Sequence, residues 1–165
     1  EGLKRFFLPE RRFQVLFYNK NKLVIDDYAH HPTEIKATIN TLKSGDFKRL
    51  IIIFQPHRFT RLKILLDEFS LAFSGVDILI ITKIYAAGQR EIRNVTGGRL
   101  AEEIKKSGLG NVYYLEDFDE IIAYLKKEMR EGDAIAFLSA GNLSSVAHQF
   151  ADTLEPLGNG NGERS

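Results

Sequence analysis

Two short segments of the sequence combine several side chains that could bind an anion. They are residues 26–32 (D-D-Y-A-H-H-P) and residues 55–61 (Q-P-H-R-F-T-R), and each directly follows an apolar run typical of a β-strand. Arg58 and Arg61 are three residues apart, so they would share one face of a helix that had already begun there. A guanidinium group matches a carboxylate or a phosphate with two parallel hydrogen bonds. Together the segments predict a pocket for a small carboxylate or phosphate, whereas for each charge alone a solvated surface position is the favoured interpretation.

The acidic and histidine side chains of these segments are compatible with several kinds of site. Asp26 and Asp27 could cap the following helix, or could bind the hydroxyls of a ribose, as a carboxylate does at this position in dinucleotide-binding folds. Three of the four histidines lie in the two segments. Adjacent residues such as His30 and His31 rarely both coordinate a metal, and no paired helical ligand spacing occurs. We therefore expect no metal here, and we expect the remaining histidine, His148, to be structural.

The sequence lacks motifs that several enzyme classes require. It has no G-x-x-x-x-G-K-[ST] phosphate loop, no G-x-G-x-x-G after the first strand and no G-x-S-x-G elbow. The absence of cysteine excludes disulfides, a thiol nucleophile and Cys-ligated zinc, and it fits a cytoplasmic protein. A net charge of +1 gives no broad field for nucleic acid, and no apolar run has transmembrane length. We therefore expect neither nucleic acid nor a membrane as a partner.

The segments that must position these side chains alternate between strand-like and helix-like patterns. Two β-rich runs, Arg12–Tyr18 and Lys22–Asp26, flank a turn at residues 19–21 and predict a hairpin. Short apolar runs predict strands covered on both faces at residues 50–54, 78–81, 112–115 and 134–138. Apolar residues at helical spacing predict helices at Thr33–Lys43, Thr60–Ser74, Leu100–Ser107, Phe118–Arg130 and Leu143–Leu154.

This alternation predicts an α/β fold of the Rossmann-like, doubly wound type, with a mostly parallel sheet and the N-terminal antiparallel hairpin at its edge. One domain over residues 1–156 accounts for the pattern, and the Gly- and Asn-rich residues 157–165 predict a disordered tail. Ligands of open α/β sheets bind beyond the carboxyl ends of strands, where both anion-binding segments fall. We expect the strand before residues 55–61 to lie beside the strand before residues 26–32.

Two long motifs resemble sequence signatures of the Mur ligase family. Residues 26–34 resemble its D-D-Y-[AG]-H-H-P-T-E motif. Residues 54–61 resemble the F-Q-P-H-R-[YF]-[ST]-R motif of the branch that adds L-alanine to UDP-N-acetylmuramate. Residues 84–88 (I-Y-A-A-G) and 11–13 (R-R-F) resemble shorter stretches of the same branch. The likeness covers residues 11–154, which is nearly the whole chain.

The resemblance implies one domain of a three-domain, ATP-dependent ligase of peptidoglycan precursor synthesis. In this family an N-terminal domain binds the UDP-sugar, a central domain carries the phosphate loop and the Mg²⁺ ligands, and a third domain brings the amino acid. ATP converts the carboxylate of the sugar into an acyl phosphate, and the amine of L-alanine then displaces phosphate. The resemblance implies that this chain is the third domain, and because it begins with Glu1 rather than Met we expect it to be cut from a longer protein. The implied partners are the other two domains, ATP with Mg²⁺, L-alanine and UDP-N-acetylmuramate.

The matching motif positions also imply roles for particular side chains. The residues implied for L-alanine binding are Tyr28, His30, His57, Arg58 and Arg61. His30 and the two arginines would hold the carboxylate, and Tyr28 and His57 would complete the pocket. Asp27 would contact the ribose of ATP. No residue of this chain is implied to be catalytic or to bind a metal.

Two positions depart from the family pattern. Asn142 stands where Asp is usual and cannot supply a carboxylate, so we expect it to cap the following helix. Ala86 stands where Pro is common. One alternative is the related murein peptide recycling ligase, which shares the histidine motif but not F-Q-P-H-R. Two others are a stand-alone phosphatase or sugar-phosphate enzyme and a stand-alone anion- or nucleotide-binding module.

Overall fold

A six-stranded mixed sheet forms the centre of the computed structural model, which describes residues 11–19 and 21–154. The strands are β1 Gln14–Asn19, β2 Lys22–Asp27, β3 Arg49–Phe54, β4 Ile78–Ile81, β5 Val112–Tyr114 and β6 Asp133–Leu138. Their order across the sheet is β1-β2-β6-β3-β4-β5. β1 is antiparallel to β2, and all other neighbours are parallel. The predicted α/β fold with an antiparallel hairpin at one edge is confirmed.

β6 lies between β2 and β3, so the expectation that those two strands are neighbours is wrong. Ile135 of β6 is in register with Val24 of β2 on one side and with Ile51 of β3 on the other. The position of a strand in a parallel sheet depends on how each crossover connection runs over the sheet. The apolar runs reveal which residues form strands, but they carry no information about that order.

Helices connect the strands and cover both faces of the sheet. They are α1 Pro32–Lys43, α2 Phe59–Ile64, α3 Leu66–Ser70, α4 Gly97–Lys106, α5 Phe118–Glu128 and α6 Leu143–Asp152. Pro32 occupies the first turn of α1, where its fixed φ angle is favourable. α4 begins earlier than predicted because the hydroxyl of Thr96 caps it, accepting a hydrogen bond from the Arg99 amide at 3.0 Å.

The helix predicted over Thr60–Ser74 is two shorter helices, α2 and α3. Leu65 interrupts them with φ −106° and ψ 22°, outside the helical region. Leu62 before the break and Phe69 after it are both buried in the same core cluster. The spacing of apolar residues therefore identified the buried face correctly, but it could not predict that Leu65 would interrupt the helix.

Two apolar clusters sandwich the sheet, which explains why its central strands are apolar along their whole length. Along β3, Ile52 packs into the cluster that includes Ile35 of α1, Phe69 of α3 and Leu100 of α4. The next residue, Ile53, faces the opposite cluster, which includes side chains of α5 and α6. Both faces of the central strands are therefore sealed, and ligands are left with the edge of the sheet where strands end.

The ends of the predicted domain are only partly described. Residues 1–10 and 155–165 lie outside the described residues, so the predicted tail 157–165 stays a prediction. At the hairpin Asn19 pairs with Lys22, and Asn21 adopts φ +65°, as a tight turn requires. In the part of the chain that the structure describes, no helix combines the length and apolar character needed to span a membrane.

Candidate functional site

The loops that follow four of the parallel strands meet at one edge of the sheet. They are residues 28–31 after β2, 55–58 after β3, 82–96 after β4 and 139–142 after β6. Although β6 separates β2 from β3, the ring centroids of His30 and His57 lie only 5.6 Å apart, at an interplanar angle of 63°. The two segments predicted to bind an anion therefore come together.

His57 is held from two sides. Nη1 of Arg61 lies 3.0 Å from His57 Nδ1, and the ring of Tyr85 stacks on the imidazole with centroids 5.6 Å apart at an angle of 15°. Burial, together with the neighbouring charges of Arg61, His30 and Arg58, lowers the pKa of His57 from 6.5 to about 4. His57 is therefore an uncharged ring at neutral pH.

The carboxylate of Glu34 orders the loop that carries His30. Glu34 Oε2 accepts the backbone N–H groups of His30 at 3.0 Å and of His31 at 3.1 Å, and it lies 3.5 Å from His30 Nδ1. Burial tends to raise the pKa of Glu34, but the two amide bonds and the charges of His30 and Arg12 outweigh it, so the pKa is lowered. His30 Nδ1 lies 2.8 Å from the carbonyl oxygen of Tyr28. Because a carbonyl only accepts, this nitrogen carries a proton.

The two arginines flank His57, but not in the way that the sequence spacing suggested. α2 begins at Phe59, so Arg58 precedes the helix and only Arg61 lies within it. Arg58 adopts φ +69°, which non-glycine residues rarely do, and its N–H donates to the Tyr85 carbonyl at 2.9 Å. The prediction that both arginines share one helix face is therefore wrong. Both guanidinium charges nevertheless act on the His57 ring, so the positive cluster is present.

Asp27 lines an adjoining cavity of about 250 Å³. Its two carboxylate oxygens accept hydrogen bonds from the Ala29 amide and the Thr38 hydroxyl, both at 2.9 Å. Each oxygen has two lone pairs, so each keeps one for a further donor. Arg12 lines the same cavity; it belongs to the R-R-F stretch, for which no role was predicted. A carboxylate and a guanidinium in one cavity suit a molecule with sugar hydroxyls and phosphate groups.

Asp26 is a structural residue. It is fully buried, and its Oδ2 accepts from Arg11 Nε at 3.2 Å and from the hydroxyl of Ser144. Arg11 also donates to the carbonyl of Ser139 at 2.8 Å, and its guanidinium lies 5.5 Å from the centre of the Tyr28 ring. Asp26, in β2, thus connects Arg11, which precedes β1, with the first turn of α6, while Arg11 holds the loop after β6. Asp26 does not cap the following helix, and because it is fully buried it does not contact a ribose. Both interpretations of this residue from the sequence are therefore wrong.

Asn142 precedes α6, as expected, but its side chain does not cap the helix. Gln55, from the loop after β3, caps the helix instead. Its Oε1 accepts hydrogen bonds from the Leu143 amide at 3.1 Å and from the Ser139 hydroxyl at 2.8 Å. Its Nε2 donates to Asn142 Oδ1 at 2.8 Å. The expectation for Asn142 is therefore wrong, because the neighbouring strand supplies the acceptor that the helix amide requires.

Tyr85 is the pocket residue that the sequence interpretation missed. Its backbone N–H donates to the Pro56 carbonyl at 2.8 Å, and this pairing brings the loop after β4 against His57. Gly141 lies behind the ring, where an added Cβ would be 2.6 Å from Tyr85 Cγ. The sequence signal that could have identified it was its position in the loop after a strand, within the I-Y-A-A-G stretch.

No group of three or more His, Asp or Glu side chains within residues 11–19 and 21–154 could hold a metal ion. The fourth histidine, His148, lies on α6, outside the cluster around His57. Its side chain is half exposed, and its Nε2 lies 3.9 Å from Oδ2 of the buried Asp26.

Residues 11–141 match the family model described as Mur ligase, glutamate ligase domain. The chain belongs to the Mur ligase family. The match includes β2, β3 and the loops that carry Tyr28, His30, His57, Arg58 and Arg61, so the positive cluster lies inside this Mur ligase domain.

Curated relatives of this Mur ligase domain cover nearly all of its chain. It is 43% identical over 150 residues to the UDP-N-acetylmuramate–L-alanine ligase of Acetivibrio thermocellus, covering 91% of this chain and 32% of that protein. It is 45% identical over 156 residues to the enzyme of the same name from a Sulfurihydrogenibium species, covering 93% and 33%. The chain therefore spans about a third of the length of these relatives.

A solved structure agrees with these relatives. The UDP-N-acetylmuramate-alanine ligase of Thermotoga maritima superposes with a TM-score of 0.69 at 26% identity, covering 87% of this chain and 29% of that one. The similarity thus extends from sequence to fold, again over one part of a longer protein.

Proposed function

We propose that this Mur ligase domain binds L-alanine for an ATP-dependent ligase that joins it to UDP-N-acetylmuramate in peptidoglycan precursor synthesis. The observation that carries the proposal is the placement of Arg58 and Arg61 around an uncharged His57 where the strand loops meet. Guanidinium groups and an imidazole N–H are suitable donors for a carboxylate. Identities of 43% and 45% to relatives with that activity in their names favour the carboxylate of L-alanine.

In the proposed reaction, ATP phosphorylates the carboxylate of the sugar, and the amine of L-alanine attacks the resulting acyl phosphate. A C–N bond forms and phosphate leaves. His30, Arg58 and Arg61 hold the carboxylate of L-alanine, while Tyr28 and His57 complete the pocket. Fixing the carboxylate leaves the amine free and keeps it oriented towards the acyl carbon, which lowers the entropic cost of the encounter.

The cavity beside this pocket suits ATP. Asp27 would accept hydrogen bonds from the ribose hydroxyls, and Arg12 would pair with a phosphate. The described residues do not fit Mg²⁺, because they contain no group of three or more His, Asp or Glu side chains that could hold a metal ion. The phosphate loop and the magnesium ligands therefore belong to the remainder of the protein in this proposal, together with the UDP-sugar site. The reaction is assigned to the cytoplasm, in keeping with a cysteine-free sequence.

The test uses the full-length protein that carries this chain. Phosphate release is measured with ATP, Mg²⁺ and UDP-N-acetylmuramate, and with L-alanine, glycine, L-serine, a murein tripeptide or no amino acid. We expect release that depends on L-alanine, and no ATP turnover by the isolated chain. Release driven by the tripeptide would assign the domain to the recycling ligase, and Mg²⁺-dependent ATP hydrolysis by the isolated chain would contradict the proposal.

A further inference from the structure

The ring contacts of His57 define its hydrogen-bonding state. Among the described residues, the hydrogen bonds to its ring involve Nδ1, which lies 3.0 Å from Nη1 of Arg61. A guanidinium group can only donate hydrogen bonds, so Nδ1 must be the acceptor. A neutral imidazole has one acceptor nitrogen and one N–H, so the proton of His57 is on Nε2.

Tyr85 fixes the plane of the same ring. The two rings are nearly parallel, at 15°, and Tyr85 is anchored by hydrogen bonds from its N–H to Pro56 and from Arg58 to its carbonyl. Gly141 packs behind Tyr85 so closely that a side chain there would displace it. A flip that exchanges the two nitrogens would break the hydrogen bond to Arg61, and a tilt of the ring would break its stacking on Tyr85.

We propose that Arg61 and Tyr85 lock His57 as an uncharged imidazole whose Nε2–H is a permanent donor for the carboxylate of the bound amino acid. Arg61 is thus a positioning residue for His57 in addition to a charge of the pocket. The inference rests on the proposed function only for the identity of the carboxylate, since the locked state of the ring exists without a ligand.

The positive charges around the His57 ring also favour its uncharged state. The groups that face His57 are Arg58 and Arg61 from its own loop and helix, His30 from the loop after β2 and Tyr85 from the loop after β4. Burial and the positive neighbours lower the pKa of His57 to about 4. The ring therefore donates through Nε2 without changing charge between about pH 5 and pH 8, and its contribution to carboxylate binding stays constant over that range.

The experiment is long-range ¹H–¹⁵N correlation NMR of the histidine rings in the ¹⁵N-labelled chain, titrated from pH 8 to pH 3.5 without ligand. The His57→Gln variant assigns the signals. We expect one ring with its proton on Nε2 and a protonation midpoint of about 4, against an ordinary value of 6.5. A proton on Nδ1 of His57, or a midpoint near 6.5, would overturn the proposal.

Two variants separate the hydrogen bond from the charge. Arg61→Gln removes both, and because a glutamine amide both donates and accepts, we expect a tautomer mixture and a midpoint shifted towards 6.5. Arg58→Gln removes one charge but no bond to the ring, so the Nε2–H signal should persist. Identical tautomer populations in the two variants would overturn the part assigned to Arg61. If His57 shows its proton on Nε2 but the full-length protein does not use L-alanine, the proposed function is refuted and the fixed state of the His57 ring is not.

Discussion

Arg58 and Arg61 lie beside a histidine that burial keeps uncharged, so the pocket draws its positive charge from guanidinium groups. A guanidinium keeps its charge at all physiological pH values, whereas an imidazolium near its pKa would not. The arrangement provides two fixed charges and a directional N–H donor from three side chains of one loop and its helix. The charge that His57, Arg58 and Arg61 present to a small anion is therefore the same from about pH 5 upwards.

The lowered pKa of His57 couples the stability of the fold to pH. Its pKa is about 4 in the folded chain and about 6.5 when exposed, so the unfolded chain binds more protons between those values. The stability that the uncharged ring contributes is complete above pH 6.5 and is lost as the pH falls through 4. We expect His57→Gln to lose less stability than the wild type between pH 7.5 and pH 4.5, as measured by urea denaturation.

The matched control is His31→Gln, because His31 is an exposed neighbour on the adjoining loop. Its stability profile should follow the wild type across the same range. If His57→Gln and the wild type lose equal stability on acidification, His57 is not the uncharged, partly buried ring described.

At the scale of elements, Gln55 joins the loop after β3 to the start of α6. It is 1% exposed, and its amide serves the Leu143 N–H, the Ser139 hydroxyl and Asn142 Oδ1. All three partners belong to the loop after β6 or to the first residue of α6. This one side chain therefore sets the position of the β6 loop relative to the loop that carries His57.

We expect Gln55→Leu to lower the free energy of unfolding by about 2–4 kcal/mol, because it leaves the N–H of Leu143 and the O–H of the buried Ser139 without an acceptor. Gln89→Leu is the control, since Gln89 makes a similar pair of bonds to Thr60 in an exposed position. It should cost less than about 1 kcal/mol. Chemical denaturation measures the free energy of unfolding of both variants. Equal decreases would show that the hydrogen bonds of Gln55 do not stabilise the fold.

The sequence predicted the central strands well because β3, β4 and β6 carry apolar runs that are buried on both faces. It also predicted the positive cluster, since Arg58, Arg61 and the two histidine segments all follow strands. The order of the strands was not predictable, because β6 enters between β2 and β3 through long-range pairing. The Gln55 cap was missed for a similar reason: Asn142 is the better local candidate, and the acceptor that the helix uses lies 88 residues away.

At the scale of the whole molecule, the two ends of the parallel sheet serve different purposes. The carboxyl ends of the strands carry the pocket. At the amino ends, Arg49 of β3 and Asp133 of β6 form a two-pronged ion pair, with Nε–Oδ1 at 2.8 Å and Nη2–Oδ2 at 2.7 Å. Asp133 is almost fully buried, so it depends on this partner for its charge.

We expect Arg49→Ala to lower the free energy of unfolding by about 2–4 kcal/mol, since it leaves a buried carboxylate without its cation. In the full-length enzyme the KM for L-alanine should not change at a temperature where the variant is folded. Arg49→Lys should recover part of the stability, because an ammonium restores the charge but not the paired geometry. A raised KM for L-alanine in a folded Arg49→Ala enzyme would contradict the separation of the two ends.

The most direct test of the account is the kinetics of Arg58→Ala and Arg61→Ala in the full-length enzyme, with each substrate varied in turn and a thermal melt to verify folding. Loss of one partner of a desolvated charge pair costs about 2–5 kcal/mol, which at about 1.4 kcal/mol per tenfold corresponds to roughly thirty-fold or more. We expect kcat/KM for L-alanine to fall by that factor in each variant. The requirements for ATP and UDP-N-acetylmuramate should change much less, and lysine at either position should restore activity only in part. Two folded alanine variants with unaltered L-alanine kinetics would show that the arginines are surface charges and that the amino acid binds elsewhere.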